Sequence, residues 1–224
     1  MLSELNLPLY IPIPKDMENL TFKFENLYDL AMALQKKKAL VGNKLDAKDK
    51  SLFIITGANQ GGKSTYLRSI GLSQILMQCG LFVPAEYFCA SICRSVFTHF
   101  TREEDIAMKS GRLDEELCRM NTIINNISKY SLLLMNESFT TTTEREASGI
   151  AIDIIKALYE SKIKVMFVTH LYEFASMVYK MNISKAIFLR AQRDDDGNRS
   201  FVIDVGEPLQ TSYGEDLFRS IIGI

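Results

Sequence analysis

The feature that most constrains this chain is a glycine-rich octapeptide between a strand-like and a helix-like segment. Residues 57–64 read Gly-Ala-Asn-Gln-Gly-Gly-Lys-Ser, the G-x-x-x-x-G-K-[ST] pattern of a phosphate-binding P-loop. The apolar run 51–56 precedes it, and an amphipathic segment that ends near Gly80 follows it. The motif needs this order of strand, loop and helix to hold a nucleotide. The pattern therefore predicts a nucleoside triphosphate site where the helix begins.

Each residue type in this loop has a physical role in binding phosphate. Glycines let successive backbone N–H groups turn toward phosphate oxygens, and the following helix directs its positive end at the same anion. Lys63 is expected to reach the β- and γ-phosphates of ATP, and the Ser64 hydroxyl is expected to hold Mg²⁺. The alternative is a glycine-rich turn that contains Lys-Ser by chance. The flanking strand and helix favour the phosphate site.

The composition describes an ordinary globular chain and excludes several function classes. The 224 residues suffice for one large domain, and 47% of them are hydrophobic and 24% charged. The net charge of −1 argues against a global basic field that would draw this chain onto nucleic acid. The sequence has no apolar run of the roughly 18 residues that a membrane span needs, no secretory signal and no C-x-x-C pair. We therefore expect a cytoplasmic protein without a membrane partner.

Strand-like and helix-like segments alternate after the P-loop. Strand patterns occupy residues 94–100, 131–135 and 164–169, and helical patterns occupy residues 113–127, 144–160 and a segment that begins at Leu171. Two further β-like runs, 185–191 and 200–205, predict a C-terminal antiparallel hairpin. The alternation predicts an α/β fold with a mostly parallel central sheet flanked by helices. The nucleotide is expected at the carboxyl ends of the strands.

The two ends of the chain are less regular. Prolines recur through residues 1–20, which read as a lead-in or linker, and we expect one domain over residues 21–224. Residues 21–24 alternate like a short strand, and a helical pattern begins at Leu27. An amphipathic segment at 215–222 is expected to close the chain.

Two polar residues, Asn136 and Glu137, follow the apolar strand that ends at Met135. P-loop ATPases usually end this strand in an Asp that orders the Mg²⁺ shell, and in several classes a following Glu takes a proton from the attacking water. The Asn136 amide oxygen can accept a hydrogen bond from a metal-bound water but carries no charge. Glu137 is the candidate general base. The alternative is a strand that merely ends in a polar turn.

A further apolar strand ends in the sequence Val168-Thr169-His170. A histidine in this place can contact the γ-phosphate or the attacking water and so sense whether the triphosphate is intact. Taken alone, a histidine at the end of a strand is more often a structural residue. The P-loop and the Asn136-Glu137 pair precede it in the expected order, and together they favour a role for His170 in the site.

The combined motifs resemble the ATPase domain of MutS-type DNA mismatch-repair proteins. The resemblance covers the chain from about residue 20 to its end, and it rests on residues 55–68, 80–85, 97–98, 110–112, 169–170 and 212–214, which follow in the family's order. It implies a P-loop NTPase of ABC-ATPase type, with ATP and Mg²⁺ as ligands. It also implies a homodimer of facing ATPase domains, whose closure around ATP is coupled to DNA binding by domains outside this chain.

The resemblance also implies roles for individual residues. The phosphates would be held by Gly57, Ala58, Asn59, Gln60, Gly61, Gly62, Lys63, Ser64 and Thr65. The metal would be bound by Ser64, by Asn136 through water, and by Glu86 as a Q-loop-like residue. The catalytic residues would be Lys63, Glu137, which orients or deprotonates the attacking water, and His170. Ser110 and Gly111 would belong to the signature segment that faces the partner's nucleotide.

Three departures mark the chain as a divergent relative of this family. Asn136 stands where the family usually has Asp. Leu113-Asp114 follows the signature segment in place of a Ser-Thr pair, which removes the hydroxyl that would donate to the partner's γ-phosphate. Residues 138–143 replace a more glycine-rich loop.

Three functions are therefore compared. The first is an ATPase domain that couples dimer closure to DNA binding elsewhere in a DNA-repair protein. The second is a nucleotide-binding switch with little or no turnover, and the third is a P-loop ATPase of another ABC branch. The proline-spotted start of the chain fits a domain excised from a longer protein better than a stand-alone protein.

Overall fold

The computed structural model describes residues 7–37, 40–58, 60–101, 111–193, 199–209 and 222. Strands and helices alternate through most of this part of the chain. In chain order they are β1 (Ile13–Lys15), a 3-10 helix (Met17–Asn19), β2 (Phe22–Leu27), α1 (Leu30–Lys36), β3 (Asn43–Asp46), β4 (Leu52–Thr56), α2 (Lys63–Gln78), β5 (Tyr87–Ser91), β6 (Val96–Phe100), α3 (Arg112–Asn126), β7 (Leu132–Asn136), α4 (Glu144–Glu160), β8 (Lys164–Val168), α5 (Tyr172–Lys180), β9 (Ala186–Arg193) and β10 (Arg199–Val205).

A six-stranded sheet in the order β10-β9-β4-β8-β7-β6 forms the centre of the molecule. The strand before the P-loop, β4, pairs in parallel with both β8 and β9, and β7 pairs in parallel with β6 and β8. The terminal strand β10 runs antiparallel to β9. The α/β fold, the mostly parallel sheet and the C-terminal hairpin predicted from the sequence are confirmed.

Two apolar clusters cover opposite faces of this sheet. Side chains alternate along each strand, so β4 directs Phe53 and Ile55 into one cluster and Leu52 and Ile54 into the other. The first cluster contains residues of α2, and the second contains residues of α3, α4 and α5. Strands β4 and β8 are buried along their whole length, as expected for parallel strands that helices cover on both faces.

A second sheet, in the order β1-β5-β2-β3, was not expected from the sequence. Its aromatic residues Phe22, Phe24 and Phe88 are buried and pack edge-on or stacked against one another in the cluster that also contains α2. Strand β1 belongs to the predicted lead-in and pairs in parallel with β5. The lead-in residues 13–15 are thus part of a sheet.

Several predicted boundaries differ from those of the structure. Leu27 ends β2, where it pairs with Asn43, and the helix begins only at Leu30 because Asp29 caps it by accepting a hydrogen bond from the Met32 N–H at 2.9 Å. Strand β6 begins at residue 96 instead of 94. Ile124 is 45% exposed, although its spacing places it with the apolar residues of α3.

The helix expected after residue 143 is confirmed, and its N-cap is Thr143, whose side chain accepts a hydrogen bond from Glu146 N. The amphipathic segment predicted for 215–222 lies outside the described residues apart from Ile222. Among the described helices, none has both the length and the apolar character that crossing a membrane requires.

Candidate nucleotide-binding site

The P-loop joins the end of β4 to the start of α2. Gly57 and Gly62 have positive φ angles of +121° and +89°, a conformation that side chains with a Cβ disfavour. A Cβ added at Gly57 would also lie 2.9 Å from the Cβ of Ala191 on β9. Both glycines are therefore required by the local backbone. Asn59 of the predicted phosphate cradle lies outside the described residues.

A cavity of about 640 Å³ opens beside the loop, which is within the range of small-ligand sites. Its polar lining includes the P-loop residues Gln60, Gly62, Lys63, Ser64 and Thr65, together with Glu137. Its apolar lining includes Leu27, Tyr28, Leu40, Val41 and Phe201. A cavity of this size, with the P-loop residues on one side and apolar side chains among its other lining residues, suits a nucleotide.

Lys63 is buried, with 4% of its surface exposed. Its Nζ donates hydrogen bonds to the carbonyl oxygens of Gly57 at 2.7 Å and Ala58 at 2.9 Å. Burial lowers the pKa of the Lys63 ammonium, and the nearby Glu137 carboxylate counteracts part of this shift. The carbonyl groups hold the ammonium at the loop, where an incoming phosphate can bind it.

The predicted metal-binding pair is assembled at the end of β7. The Ser64 hydroxyl donates a hydrogen bond of 2.8 Å to Oδ1 of Asn136. A hydroxyl and an amide oxygen are oxygen donors of the kind that Mg²⁺ prefers, so the residues present fit this ion. Both donors are neutral, and Asn136 brings no negative charge to the site.

Glu137 lies between the other two predicted catalytic side chains. Its Oε2 accepts hydrogen bonds from Nδ1 of His170 at 2.6 Å and from the His170 backbone N–H at 3.2 Å. Its Oε1 lies 3.9 Å from Nζ of Lys63. The hydrogen bond to Glu137 raises the pKa of the half-exposed His170 imidazole, although partial burial opposes the shift. The three residues are brought together because β4, β8 and β7 are adjacent parallel strands.

Other predicted site residues are not brought to this cavity. Glu86 is exposed, its Oε1 accepts a hydrogen bond of 2.9 Å from Nδ2 of Asn26, and it lines a separate groove between β2 and the β9–β10 hairpin. Its position gives no support to a metal-binding role. Gly111 is exposed and is the N-cap residue of α3. Ser110 and residues 212–214 lie outside the described residues.

The apolar wall of the cavity was missed by the sequence reasoning. Phe201 is on β10, and its ring would lie 3.6 Å from a Cβ built on Gly62. Asn43 on β3 fixes this part of β10, because it donates to the Phe201 carbonyl at 3.3 Å and accepts from the Ile203 N–H at 2.7 Å. No motif marks these residues, which are more than a hundred positions apart in the sequence and meet only through the fold.

Comparison with known proteins gives a consistent result. Residues 53–219 match the family model described as MutS domain V. MutS protein homolog 4 of Homo sapiens is 31% identical over 160 residues, which cover 71% of this chain and 17% of that protein. The DNA mismatch repair protein MutS of Clostridium novyi (strain NT) is 33% identical over 155 residues, covering 68% of this chain and 17% of the relative. The chain thus spans less than a fifth of the length of these relatives.

Proposed function

Because the chain belongs to the MutS domain V family, we propose that it is the ATPase domain of a MutS-related DNA-repair protein. In this proposal it is a P-loop NTPase of ABC type that binds ATP with Mg²⁺ and hydrolyses it slowly. Domain V is the ATPase domain in MutS-type proteins, as the sequence resemblance already implied. Membership of this family also favours the MutS-type function over that of another ABC branch.

The observation that carries the proposal is the convergence of Lys63, Glu137 and His170 beside the P-loop, where Lys63 and Glu137 line the cavity. They come from α2 and from the ends of β7 and β8, yet Glu137 approaches both of the other side chains within 4 Å. The Ser64–Asn136 pair lies next to them at the end of β7. Phosphoryl transfer to water needs a base for the water and cationic groups for the phosphate charge, both beside a phosphate-binding loop. Glu137 is the proposed base, and Lys63 is the cation.

Each side chain then has one task. Lys63 releases the carbonyls of Gly57 and Ala58 and donates to the phosphates, which neutralises part of their charge. Glu137 accepts the proton of the water that attacks the γ-phosphorus, the bond to the β-phosphate oxygen breaks, and ADP and phosphate are the products. His170 holds the Glu137 carboxylate and contacts the γ-phosphate region. Ser64 would bind Mg²⁺ directly and Asn136 through water, and the ion would offset negative charge on the phosphates.

The partners of the domain follow from the same proposal. We propose a homodimer of facing ATPase domains in the parent protein, with Gly111 at the start of α3 on the facing surface. DNA would be bound by domains outside this chain, since the relatives named DNA mismatch repair protein MutS are more than five times longer than the matched segment. A cytoplasmic location is proposed with it.

A nucleotide-binding switch with little or no turnover is the second candidate. It is favoured by the neutral Asn136, which already accepts the Ser64 hydroxyl and offers no charge to a divalent ion. Leu113 and Asp114 at the start of α3 also favour the switch, because neither side chain has a hydroxyl that could donate a hydrogen bond to a partner's phosphate.

One variant tests the binding site that both candidates share, and a second variant separates the candidates. We expect Lys63→Ala to abolish ATP binding, measured by calorimetry, while the fold is retained in circular dichroism. Glu137→Ala should bind ATP normally and lose steady-state turnover by about 10²–10⁴-fold, the usual contribution of a general base. Lys156→Ala is the matched control, because this exposed lysine on α4 does not line the cavity.

The outcomes are distinct. Equal rates for the wild type and Glu137→Ala would refute hydrolysis and leave the switch. Unchanged ATP affinity in Lys63→Ala would refute the P-loop assignment itself.

A further inference from the structure

A buried glutamate on α3 has no part in the proposed reaction. Glu116 has 4% of its surface exposed, although a charged residue on an amphipathic helix usually faces water. Burial raises the pKa of its carboxyl group, so the charged form is disfavoured at this position. Its Oε2 accepts a hydrogen bond of 2.8 Å from the backbone N–H of Phe139.

The backbone that Glu116 binds has an unusual conformation. Glu137 and Phe139 have φ angles of +53° and +68°, in the left-handed region that residues with a Cβ disfavour. The side chain of Phe139 is fully buried. A loop with two such residues keeps its shape only if the surrounding structure holds it.

His99 on β6 joins the same contact. Its Nε2 donates to the carbonyl oxygen of Glu116 at 3.0 Å, and its Nδ1 accepts the Ser138 hydroxyl at 2.7 Å. Burial lowers the pKa of the His99 imidazole, which favours the neutral ring that can donate at one nitrogen and accept at the other. The ring also stacks on Phe139, with centroids 5.5 Å apart. Glu116 and His99 together hold the two residues that follow Glu137.

The orientation of the Glu137 carboxylate depends on this loop. On one side, the Glu137 N–H donates to the Val168 carbonyl oxygen on β8 at 2.8 Å. On the other side, the chain continues directly into Ser138 and Phe139. With both sides fixed, the Glu137 side chain points at His170 and Lys63.

We propose that Glu116 is a positioning residue, which holds the loop after β7 in the left-handed conformation that directs the Glu137 carboxylate at His170. Glu116 lies in the second turn of α3, the helix that begins next to Gly111. Glu116 therefore connects two parts of the same domain. One is helix α3, which begins at the proposed partner-facing segment, and the other is the loop that carries the proposed general base. The effect on turnover rests on the proposed function, whereas the effect on the Glu137–His170 contact does not.

The Glu137–His170 contact can be followed through the pKa of the His170 imidazole. The chain contains two histidines, so NMR of the full chain without nucleotide or metal gives two imidazole titrations, and His170→Gln assigns them. In Glu116→Ala we expect the pKa of His170 to fall from its raised position toward the ordinary value near 6.5, because the hydrogen bond to Glu137 is weakened. Glu116→Gln keeps an oxygen that can accept from Phe139 N–H, and it should keep the His170 pKa of the wild type.

Met120→Ala is the matched control for simple destabilisation. Met120 is also buried on α3, in the apolar cluster that includes Phe139, but it offers no carboxylate to the backbone of the loop. It should lower thermal stability at least as much as Glu116→Ala without changing the His170 titration. The charged groups that affect His170 are Glu137, Lys63 and Glu144, and none of these variants alters them.

Turnover gives the second measurement. Glu116→Ala should lower kcat by roughly tenfold, a fraction of a general base's contribution, with unchanged ATP affinity, and Glu116→Gln should restore it. An unchanged His170 pKa in Glu116→Ala, or an equal shift in Met120→Ala, would overturn the proposal. If Glu137→Ala leaves turnover unchanged, the hydrolysis proposal fails, while the His170 titration still decides the role of Glu116.

Discussion

Asn136 and Ser64 share one hydrogen bond, and both are oxygen donors that a cation could bind at the end of β7. The Ser64 hydroxyl donates its proton to the amide oxygen at 2.8 Å, so the amide oxygen is already engaged. A carboxylate in the same place would attract a divalent ion through its charge, which an amide cannot do. At the scale of single residues, this neutral side chain is the main physical reason to expect slow hydrolysis.

We predict that Asn136→Asp tightens the Mg²⁺ dependence and raises turnover. The added carboxylate would attract Mg²⁺, although solvent screens part of this attraction. The half-saturating Mg²⁺ concentration should therefore fall by roughly threefold to tenfold. The measurement is steady-state ATP hydrolysis across a magnesium titration. Asn126→Asp adds the same charge at the exposed end of α3 and is the control for net charge. A flat or lower rate in Asn136→Asp would indicate that the amide already matches its surroundings.

The reach of sequence reasoning differs between the two sheets. Strands β4, β7 and β8 were predictable because each is a short apolar run that ends close to a motif residue, namely Gly57, Glu137 or His170. The second sheet was missed because its strands are short and because β5 pairs with strands far from it in the sequence, as in the pairings of Ile13 with Cys89 and of Phe22 with Ala90. Pairing between strands so far apart in the sequence leaves no local pattern.

The same limit applies to the candidate site. The motifs predicted Lys63, Glu137 and His170, because strand order brings the carboxyl ends of β4, β7 and β8 to one edge. Glu116 was not predictable, since a glutamate in an amphipathic helix normally faces water and only the packing of Phe139 shows that it does not. Phe201 was missed for a similar reason, because its role depends on where β10 crosses the P-loop.

At the scale of elements, Phe201 of β10 lines the proposed nucleotide cavity, and its role can be tested by substitution. The ring is 46% exposed and adjoins Gly62, so it is available to stack on a base. Stacking of a base on an aromatic ring is worth about 1–3 kcal/mol, so Phe201→Ala should weaken ATP binding by roughly 5-fold to 150-fold. Calorimetry with ATP and with tripolyphosphate, which has no base, measures the difference.

Val205→Ala is the control, since it is an exposed residue on the same strand that does not line this cavity. Only ATP binding should weaken in Phe201→Ala, with tripolyphosphate binding unchanged. Equal losses for both ligands would mean that the ring supports the P-loop instead of holding a base.

At the scale of the whole molecule, the two faces of the central sheet have different proposed roles. The face covered by α2 is assigned to nucleotide binding, and the face covered by α3 to contact with a partner domain. The α2 side carries the P-loop and the aromatic second sheet. The opposite side carries α3, which begins at the proposed partner-facing segment and contacts the loop after Glu137 through Glu116. A partner that contacts the start of α3 would therefore act, through a chain of packed contacts, on the loop next to Glu137, the proposed general base.

The proposed homodimer makes a steric prediction at Gly111. This glycine has a φ of −62°, and nothing described lies within 4 Å of a Cβ added there, so Gly111→Trp is expected to fold normally as a monomer. A partner close to this segment would clash with the indole. Gly149→Trp on α4 is the matched control, because its added Cβ is equally free of described neighbours.

Both substitutions belong in the Glu137→Ala background, where ATP should remain bound because hydrolysis is blocked. Light scattering after gel filtration should show twice the monomer mass with ATP and Mg²⁺ for Glu137→Ala alone and for the variant that adds Gly149→Trp. The variant that adds Gly111→Trp should bind ATP and stay monomeric. If it dimerises as well as the control, the facing surface does not include the start of α3, and the route through Glu116 would transmit no signal from a partner.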